Sequence, residues 1–293
     1  MPAHNHVENP LEYIFERFSW AASDIGRAVG APPRLHAGAV PQVRRITVSD
    51  LWASLREGMH DLGVARSDVF FIALIYPIAG LLLARLAFNS NMLPLVLPLL
   101  SGFALLGPLA AVGLYEVSRR LEAGQEVSWS TPFEVRRSPG LSSILGMGAI
   151  LGIAFLAWLA AAWGIYAATL GPQPPASLSS FLSDVFTTGP GWAMIVIGMG
   201  VGFLFAAFTF SISVISFPLM LDRDVGVAQA IGASIRAVRA NPGPMAVWGF
   251  VIAAALIAGS IPALAGLIFV MPLFGHASWH LYRRLIDSPV EAP

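Results

Sequence analysis

The sequence of this 293-residue chain contains no cysteine and no lysine, and charged residues make up only 12% of it. Without cysteine the chain cannot form disulfides, use a thiolate nucleophile, or hold zinc or an iron–sulfur cluster through sulfur. A soluble domain carries about 25% charged residues, so the shortage of charge indicates that most of the surface does not face water. The net charge is zero, and nucleic-acid binding therefore has no electrostatic support.

Hydrophobic residues, by contrast, make up 56% of the chain and cluster in long runs. About 20 apolar residues are enough to cross the core of a bilayer. One run, 244–275, is too long for a single span, and Gly259 and Pro262 near its centre favour a tight turn between two helices. We therefore predict an all-α fold, a polytopic membrane bundle of six transmembrane helices arranged as three hairpins. The predicted spans are about 69–88, 92–114, 141–168, 192–217, 245–259 and 262–285.

The arginines support this arrangement, because all of them except Arg85 fall on one side of the six predicted spans. By the positive-inside rule that side is the cytoplasm, and both termini are predicted to lie there. Residues 1–18 lack a basic start followed by an apolar stretch, so we do not expect a cleavable signal peptide. Arg85 lies one turn from the outer end of the first span. It either snorkels to the outer headgroups or faces an anionic substrate.

Amphipathic helices are predicted outside the spans, on the cytoplasmic side. Residues 1–46 form a separate cytoplasmic segment with a helix at about 10–30, which either anchors at the membrane interface or docks on another membrane protein. The membrane domain, 47–287, starts with a second amphipathic helix at 49–62, opened by a Thr47–Asp50 capping box. The apolar stripe predicted for this second helix consists of Leu51, Leu55, Met59 and Leu62.

Polar side chains inside the spans are few, and most of them lie in the fourth span. Thr209, Ser213 and Ser216 share one face of that helix. They either bond to the backbone or to a neighbouring helix, which is the usual role of Ser and Thr in membranes, or they line a polar path with Arg85 at its outer mouth. No carboxylate lies in the middle of a span, which disfavours a proton-coupled transporter.

Two histidines near the end of the chain, His276 and His280, lie four residues apart and so share one face of a helix. Together they can ligate a metal ion or a haem, although a metal site needs a further ligand. His60, on the amphipathic helix before the first span, lies on the same predicted side and is the candidate. Alternatively, the histidines join Trp279 and Tyr282 in the aromatic belt where a span enters the headgroups. The primary expectation is a protein without a cofactor, with haem or a metal ion as the alternative.

The end of the sixth span aligns without gaps with the end of the second span. Residues 107–124, GPLAAVGLYEVSRRLEAG, pair with residues 271–288, MPLFGHASWHLYRRLIDS. The Pro-Leu and Arg-Arg-Leu motifs recur, whereas the histidines occur only in the second string. The alignment predicts a helical unit used three times, over about 47–120, 121–223 and 224–287.

Three strings, at residues 101–124, 216–249 and 266–285, resemble a family of predicted bacterial integral membrane proteins that is catalogued only as a domain of unknown function. The resemblance covers about residues 45–285. The middle string is also weakly similar to the membrane domain of some glycerophosphodiester phosphodiesterases, whose catalytic domain this chain lacks. The resemblance implies a multi-pass protein of the bacterial inner (cytoplasmic) membrane, and it supplies no substrate, cofactor or site residue.

Three hypotheses of function follow from these features. The chain contains no nucleophile elbow, metalloprotease motif, phosphate-binding loop or dinucleotide fingerprint, so it is not predicted to be an enzyme. The first hypothesis is a non-enzymatic scaffold or accessory subunit of a membrane complex, in contact with the lipid bilayer and another membrane protein. The second is a transporter or channel for a small or amphipathic molecule. The third is a haem- or metal-binding membrane protein that uses the C-terminal histidine pair.

Overall fold

The structure, a computed structural model, describes residues 42–65, 77–82, 85 and 92–286. These residues are mostly helical and contain no β-strand beyond one isolated bridge between Val43 and Ile286, so the all-α prediction is confirmed for them. The predicted helix at 10–30 and most of the first predicted span, 69–88, lie outside the described residues. Within that span, residues 77–82 are helical.

The helices follow one another along the chain with short connections, several of them only one to three residues long. Leu93–Glu122 is one long helical run in which short 3-10 turns separate α-helical pieces, and a further 3-10 helix covers Thr131–Arg137. In chain order the α-helices are α1 (Val48–Val64), α2 (Val96–Phe103), α3 (Gly107–Ala110), α4 (Val112–Glu122), α5 (Leu141–Thr169), α6 (Leu178–Thr187), α7 (Gly189–Ser213), α8 (Ser216–Asp222), α9 (Val227–Ala240), α10 (Pro242–Ser260) and α11 (Leu267–Leu285).

Within the described part of the chain, four helical segments are long and apolar enough to cross a membrane. They correspond to the second, third, fourth and fifth predicted spans. The sixth predicted span, α11, is not among them, because its second half carries two histidines, two arginines and other polar groups. The arrangement of six spans as three hairpins therefore stays a prediction. The four segments are Leu93–Glu122, Leu141–Thr169, Gly189–Asp222 and Pro242–Ser260.

The predicted break after Gly259 is confirmed. Helix α10 ends at Ser260, a turn follows, and α11 begins at Leu267 rather than at the predicted Pro262. Within the turn Leu264 has a φ of 67°, a left-handed conformation that is uncommon outside glycine. Gly259 and Gly266 bring the two helix ends together, since a Cβ built on Gly266 would lie 2.6 Å from the Cα of Gly259.

Large apolar side chains cover the outside of the spans, and few residues of the apolar part of α7 are buried. Phe203 on α7 is 69% exposed and Phe250 on α10 is 73% exposed. Such a surface is stable in hydrocarbon and not in water, so the lipid bilayer is the environment of these helices. The main buried core includes Trp248, Phe217 and Met147.

Helix α1 begins at the predicted capping box but buries a different face from the predicted one. The carboxylate of Asp50 accepts hydrogen bonds from the backbone N–H and the hydroxyl of Thr47, at 2.7 and 2.8 Å. Leu51 and Leu62 are buried as predicted, whereas Met59 is 55% exposed. The expected apolar stripe is wrong at Met59 because α1 packs against α11 through its glycine and its polar side chains, as described next.

Candidate functional site

The ends of several helices meet beside α1 and bury a group of polar side chains there. The segment before α1 is fixed there by its backbone, because the N–H of Arg44 donates to the carbonyl of Leu285 at 2.8 Å. Asn241, between α9 and α10, accepts a bond from the N–H of Ile46 at 2.8 Å and donates one to the carbonyl of Arg44 at 3.0 Å. The start of α1 is therefore tied to the ends of both α9 and α11.

Helices α1 and α11 approach each other very closely at Gly58. A Cβ added to Gly58 would lie 2.5 Å from the backbone nitrogen of Ala277. Only glycine permits this contact, and it brings the polar side chains of the two helices within hydrogen-bonding distance.

Asp61 lies at the centre of a buried cluster drawn from three helices. Its Oδ2 accepts a hydrogen bond from the hydroxyl of Ser118 on α4 at 2.6 Å and lies 2.8 Å from Nε2 of His280 on α11. Nδ1 of His276 lies 2.8 Å from the same hydroxyl oxygen. We refer to Asp61, Ser118, His276 and His280 as the inner cluster. Burial raises the pKa of Asp61, but the bonds from His280 and Ser118 outweigh it and hold the pKa below its usual value.

The hydrogen-bond pattern fixes the tautomer of His276. A carboxylate only accepts, so the single proton of the Ser118 hydroxyl goes to Asp61. The bond between Ser118 and His276 must then be donated by Nδ1 of the imidazole. In the neutral ring the other nitrogen, Nε2, carries a lone pair. This Nε2 is buried and has no hydrogen-bond partner among the residues that the structure describes.

An ion pair extends the inner cluster toward solvent. Arg284 donates two hydrogen bonds of 2.8 Å to the carboxylate of Glu57, a bidentate geometry with strong directional preference. The hydrogen bond from Arg284 lowers the pKa of Glu57. Nδ1 of His280 lies 3.3 Å from Oε2 of Glu57, so a protonated His280 can donate to Glu57 and Asp61 together. We refer to the inner cluster and this pair as the clamp.

The aromatic residues of α11 join that helix to its other neighbours. Nε1 of Trp279 donates to Glu122 at the end of α4 at 2.9 Å, and the hydroxyl of Tyr282 donates to Asp222 at the end of α8 at 2.6 Å. Trp279 is 1% exposed and Tyr282 is fully buried. Both rings therefore pack inside the protein, and the interpretation of them as a belt facing the headgroups is wrong.

The structure brings His276 and His280 together but not His60. His60 is exposed on α1, and the adjacent Asp61 faces the histidines instead, because successive residues of a helix are rotated by about 100°. Among the described residues no group of three or more His, Asp or Glu side chains is arranged to hold a metal ion. Binding of haem or a metal by the histidine pair stays a prediction.

The polar residues of the fourth span face the protein interior. Thr209, Ser213 and Ser216 are at most 3% exposed. The hydroxyl of Ser213 donates to the carbonyl of Thr209 at 2.7 Å, and that of Ser216 donates to Ile212 at 2.5 Å. Two of the three hydroxyls therefore bond to the backbone one turn back, which is the usual role of Ser and Thr in membrane helices and the alternative to a polar path. Arg85 is helical and its side chain is exposed.

The aligned ends of the second and sixth predicted spans make matching ion pairs. Arg120 occupies the position that aligns with Arg284. Arg120 binds Glu134 of the following 3-10 helix at 2.5 Å, and Arg284 binds Glu57 of α1 at 2.8 Å. In both copies the second arginine of the motif therefore joins the end of its helix to a separate helix. The internal repeat stays a prediction that these contacts support.

The long apolar helices, with large apolar side chains exposed on their outer surface, define an integral membrane protein. A family of predicted integral membrane proteins of unknown function, DUF2189, matches the chain over residues 95–222. The resemblance inferred from the sequence is confirmed over that stretch, which contains Ser118 and Glu122 but neither α1 nor α11. No curated protein and no solved structure matches the chain, so the similarity to glycerophosphodiester phosphodiesterases is not shown.

Proposed function

We propose that the protein is a non-enzymatic scaffold, an accessory subunit that assists another membrane complex. The observation that carries the proposal is the closure of the inner cluster. Ser118 and His276 are fully buried and Asp61 is 6% exposed, and each of them is bonded to another member. A catalytic or transport site has to admit its substrate to such groups. Here they are used to hold helices together.

The outer face of α1 supports a binding role. Because the clamp fixes the inner face of α1 to α11, the outer face is presented as a rigid surface. Trp52 and Met59 on that face are each 55% exposed, and Arg56 between them is exposed as well. A large aromatic side chain, a methionine and an arginine are residue types enriched where proteins bind one another.

Affinity purification in a mild detergent tests the scaffold. We expect wild-type protein, tagged at its C-terminus, to recover a partner in stoichiometric amount from native membranes. Asp61→Asn, which weakens the clamp, should recover less of it, and Asp184→Asn, the same change at an exposed position of α6, should recover as much as wild type. Repeated recovery of wild-type protein alone would overturn the proposal.

A transporter or channel is the second candidate, favoured by one observation in the fourth span. The hydroxyl of Thr209 is buried and has no hydrogen-bond partner within the described part of the chain, so a polar solute passing between the helices would supply the missing bond. Flux of small solutes into proteoliposomes tests this function. Flux should fall in Thr209→Val and persist in Thr169→Val, whose hydroxyl already bonds to Ile165. An impermeable wild-type protein would exclude the candidate.

We also propose an inner-membrane location with both termini in the cytoplasm. The arginines at the ends of α4 and α11 support it, because Arg120 and Arg283 both bind carboxylates at the same end of the molecule as α1. Reporter fusions after residues 90 and 180 should report the periplasm, and a fusion after Pro293 should report the cytoplasm. A periplasmic reporter signal after Pro293 would contradict the proposed topology.

A further inference from the structure

A second polar region lies apart from the clamp, in a cavity of about 370 Å³ at the ends of the spans. Its walls come from the end of α4, the 3-10 helix Thr131–Arg137, the start of α5 and the end of α8. Two of the lining residues approach each other closely, since a Cβ on Gly140 would lie 2.2 Å from the carbonyl oxygen of Met220. Its volume falls in the range of small-ligand sites, about 300–1,000 Å³.

The cavity lies at the depth where a membrane protein meets lipid headgroups. Three of the segments apolar enough to span a membrane contribute to it by their ends: Leu93–Glu122 and Gly189–Asp222 finish there, and Leu141–Thr169 starts there. A polar cavity at this level opens toward phosphate and headgroup amines rather than toward acyl chains.

Two carboxylates that line the cavity, Glu116 and Glu134, are already paired with arginines. Glu116, 3% exposed, accepts bonds of 2.8 Å from Arg119 and 2.9 Å from Arg120, and Arg120 also binds Glu134 at 2.5 Å. These bonds use Nε and Nη2 of Arg119, and its Nη1 lies outside them. The side chain of Arg119 is 42% exposed, so this amino group is available to a ligand.

The rim of the cavity carries both signs of charge. Arg137 and Asp224 are exposed at the rim, and Arg223 lies beside Asp224. Guanidinium groups bind phosphate in bidentate geometry, and a carboxylate binds an ammonium group. A rim with both groups matches a ligand that is itself both a phosphate and an amine.

We infer that this cavity binds the headgroup of a zwitterionic phospholipid that carries a primary amine, as in phosphatidylethanolamine. Arg119 and Arg137 bind the phosphate, and Asp224 binds the ammonium group. The same chemistry exists in free phosphoethanolamine. The position at the ends of three spans assigns the site to the membrane lipid.

Native mass spectrometry of the full-length protein with added lipid tests this site. Wild-type protein should bind phosphatidylethanolamine in preference to phosphatidylglycerol. Arg137→Gln should weaken both lipids about tenfold, the effect of losing one charge-assisted hydrogen bond. Asp224→Asn should weaken phosphatidylethanolamine alone. Arg136→Gln, an exposed arginine of the same 3-10 helix outside the cavity, should bind like wild type.

Three outcomes would overturn the inference. Equal weakening by Arg136→Gln and Arg137→Gln would indicate unspecific attraction to surface charge. If Asp224→Asn bound phosphatidylethanolamine as tightly as wild type does, the assignment of Asp224 to the ammonium group would be refuted. Free phosphoethanolamine, added without lipid, should bind far more weakly than the lipid, and equal binding would exclude a lipid site. Because the substituted residues are exposed, melting temperatures should stay at the wild-type value.

Discussion

The substitution Asp61→Asn should loosen α1 from α11. Asp61 is 6% exposed and accepts bonds of 2.6 Å from Ser118 and 2.8 Å from His280. Asparagine keeps the shape and removes the charge. A hydrogen bond to a charged group contributes about 1.5–3 kcal/mol, against about 0.5–1.5 kcal/mol between neutral groups. The difference is about 1–1.5 kcal/mol per bond, so over two bonds the interaction of α1 with α4 and α11 should weaken by about 2–3 kcal/mol.

Hydrogen exchange of the α1 amides measures this loss directly. Exchange through local opening follows the opening free energy, so a loss of about 2–3 kcal/mol should speed it roughly 30- to 150-fold. The amides of α5, a helix that supplies neither of these hydrogen bonds to Asp61, should exchange as in wild type. His60→Gln is the matched control and should leave α1 unchanged, because His60 is exposed. Unchanged exchange in Asp61→Asn, or equal acceleration in both variants, would refute the reasoning.

Three further predictions concern the same contact. Arg284→Gln should cost less than Asp61→Asn, about 1 kcal/mol or below in thermal unfolding, because its pair with Glu57 is partly exposed. Acidification should release α1, because folding lowers the pKa values of Glu57 and Asp61. The stabilisation by these two carboxylates is therefore complete above their unfolded pKa values of about 4 and is lost as the pH falls below those values. Hydrogen exchange of the α1 amides, measured between pH 7 and 3, should reveal the loss. Gly58→Val should overpack α1 against Ala277 and reduce the free energy of unfolding by about 1–3 kcal/mol, which a lower melting temperature would show.

The apolar architecture could be predicted from the sequence because length and hydropathy decide it locally. The second to fifth spans are long apolar runs, and each of them appears as a helix of membrane-crossing length. The break in the 244–275 run was visible because Gly259 and Pro262 interrupt an otherwise continuous pattern. Element ends were less predictable, since α11 begins at Leu267 after a turn stabilised by packing of Gly259 on Gly266.

The buried face of α1 could not be predicted from its apolar stripe. The stripe counts Met59 as buried and leaves out Asp61, because a lone carboxylate is costly to bury. The structure reverses both, since Asp61 receives its partners from α4 and α11. Those partners lie 57 and 219 residues away in the sequence, beyond the reach of any local pattern.

Part of the candidate site could be predicted from the sequence. The sequence singles out the pair His276 and His280, but it predicts His60 as their partner, whereas the structure places Asp61 and Glu57 beside His280. One signal was available: Glu57 and Asp61 lie four residues apart on one helix, and His280 and Arg284 lie four residues apart on another. Two such faces of opposite charge can pair when the helices cross.

A disulfide between two engineered cysteines tests the central claim that the clamp holds α1 and the end of α11 together at one face of the membrane. Val43 and Ile286 form a backbone bridge, whose Cα separation of about 4.5–5.5 Å suits a disulfide. Because the chain has no cysteine, Val43→Cys with Ile286→Cys gives an unambiguous readout in isolated membranes. The account predicts rapid intramolecular crosslinking on mild oxidation. No crosslink, while each single-cysteine variant reacts with a maleimide, would contradict it.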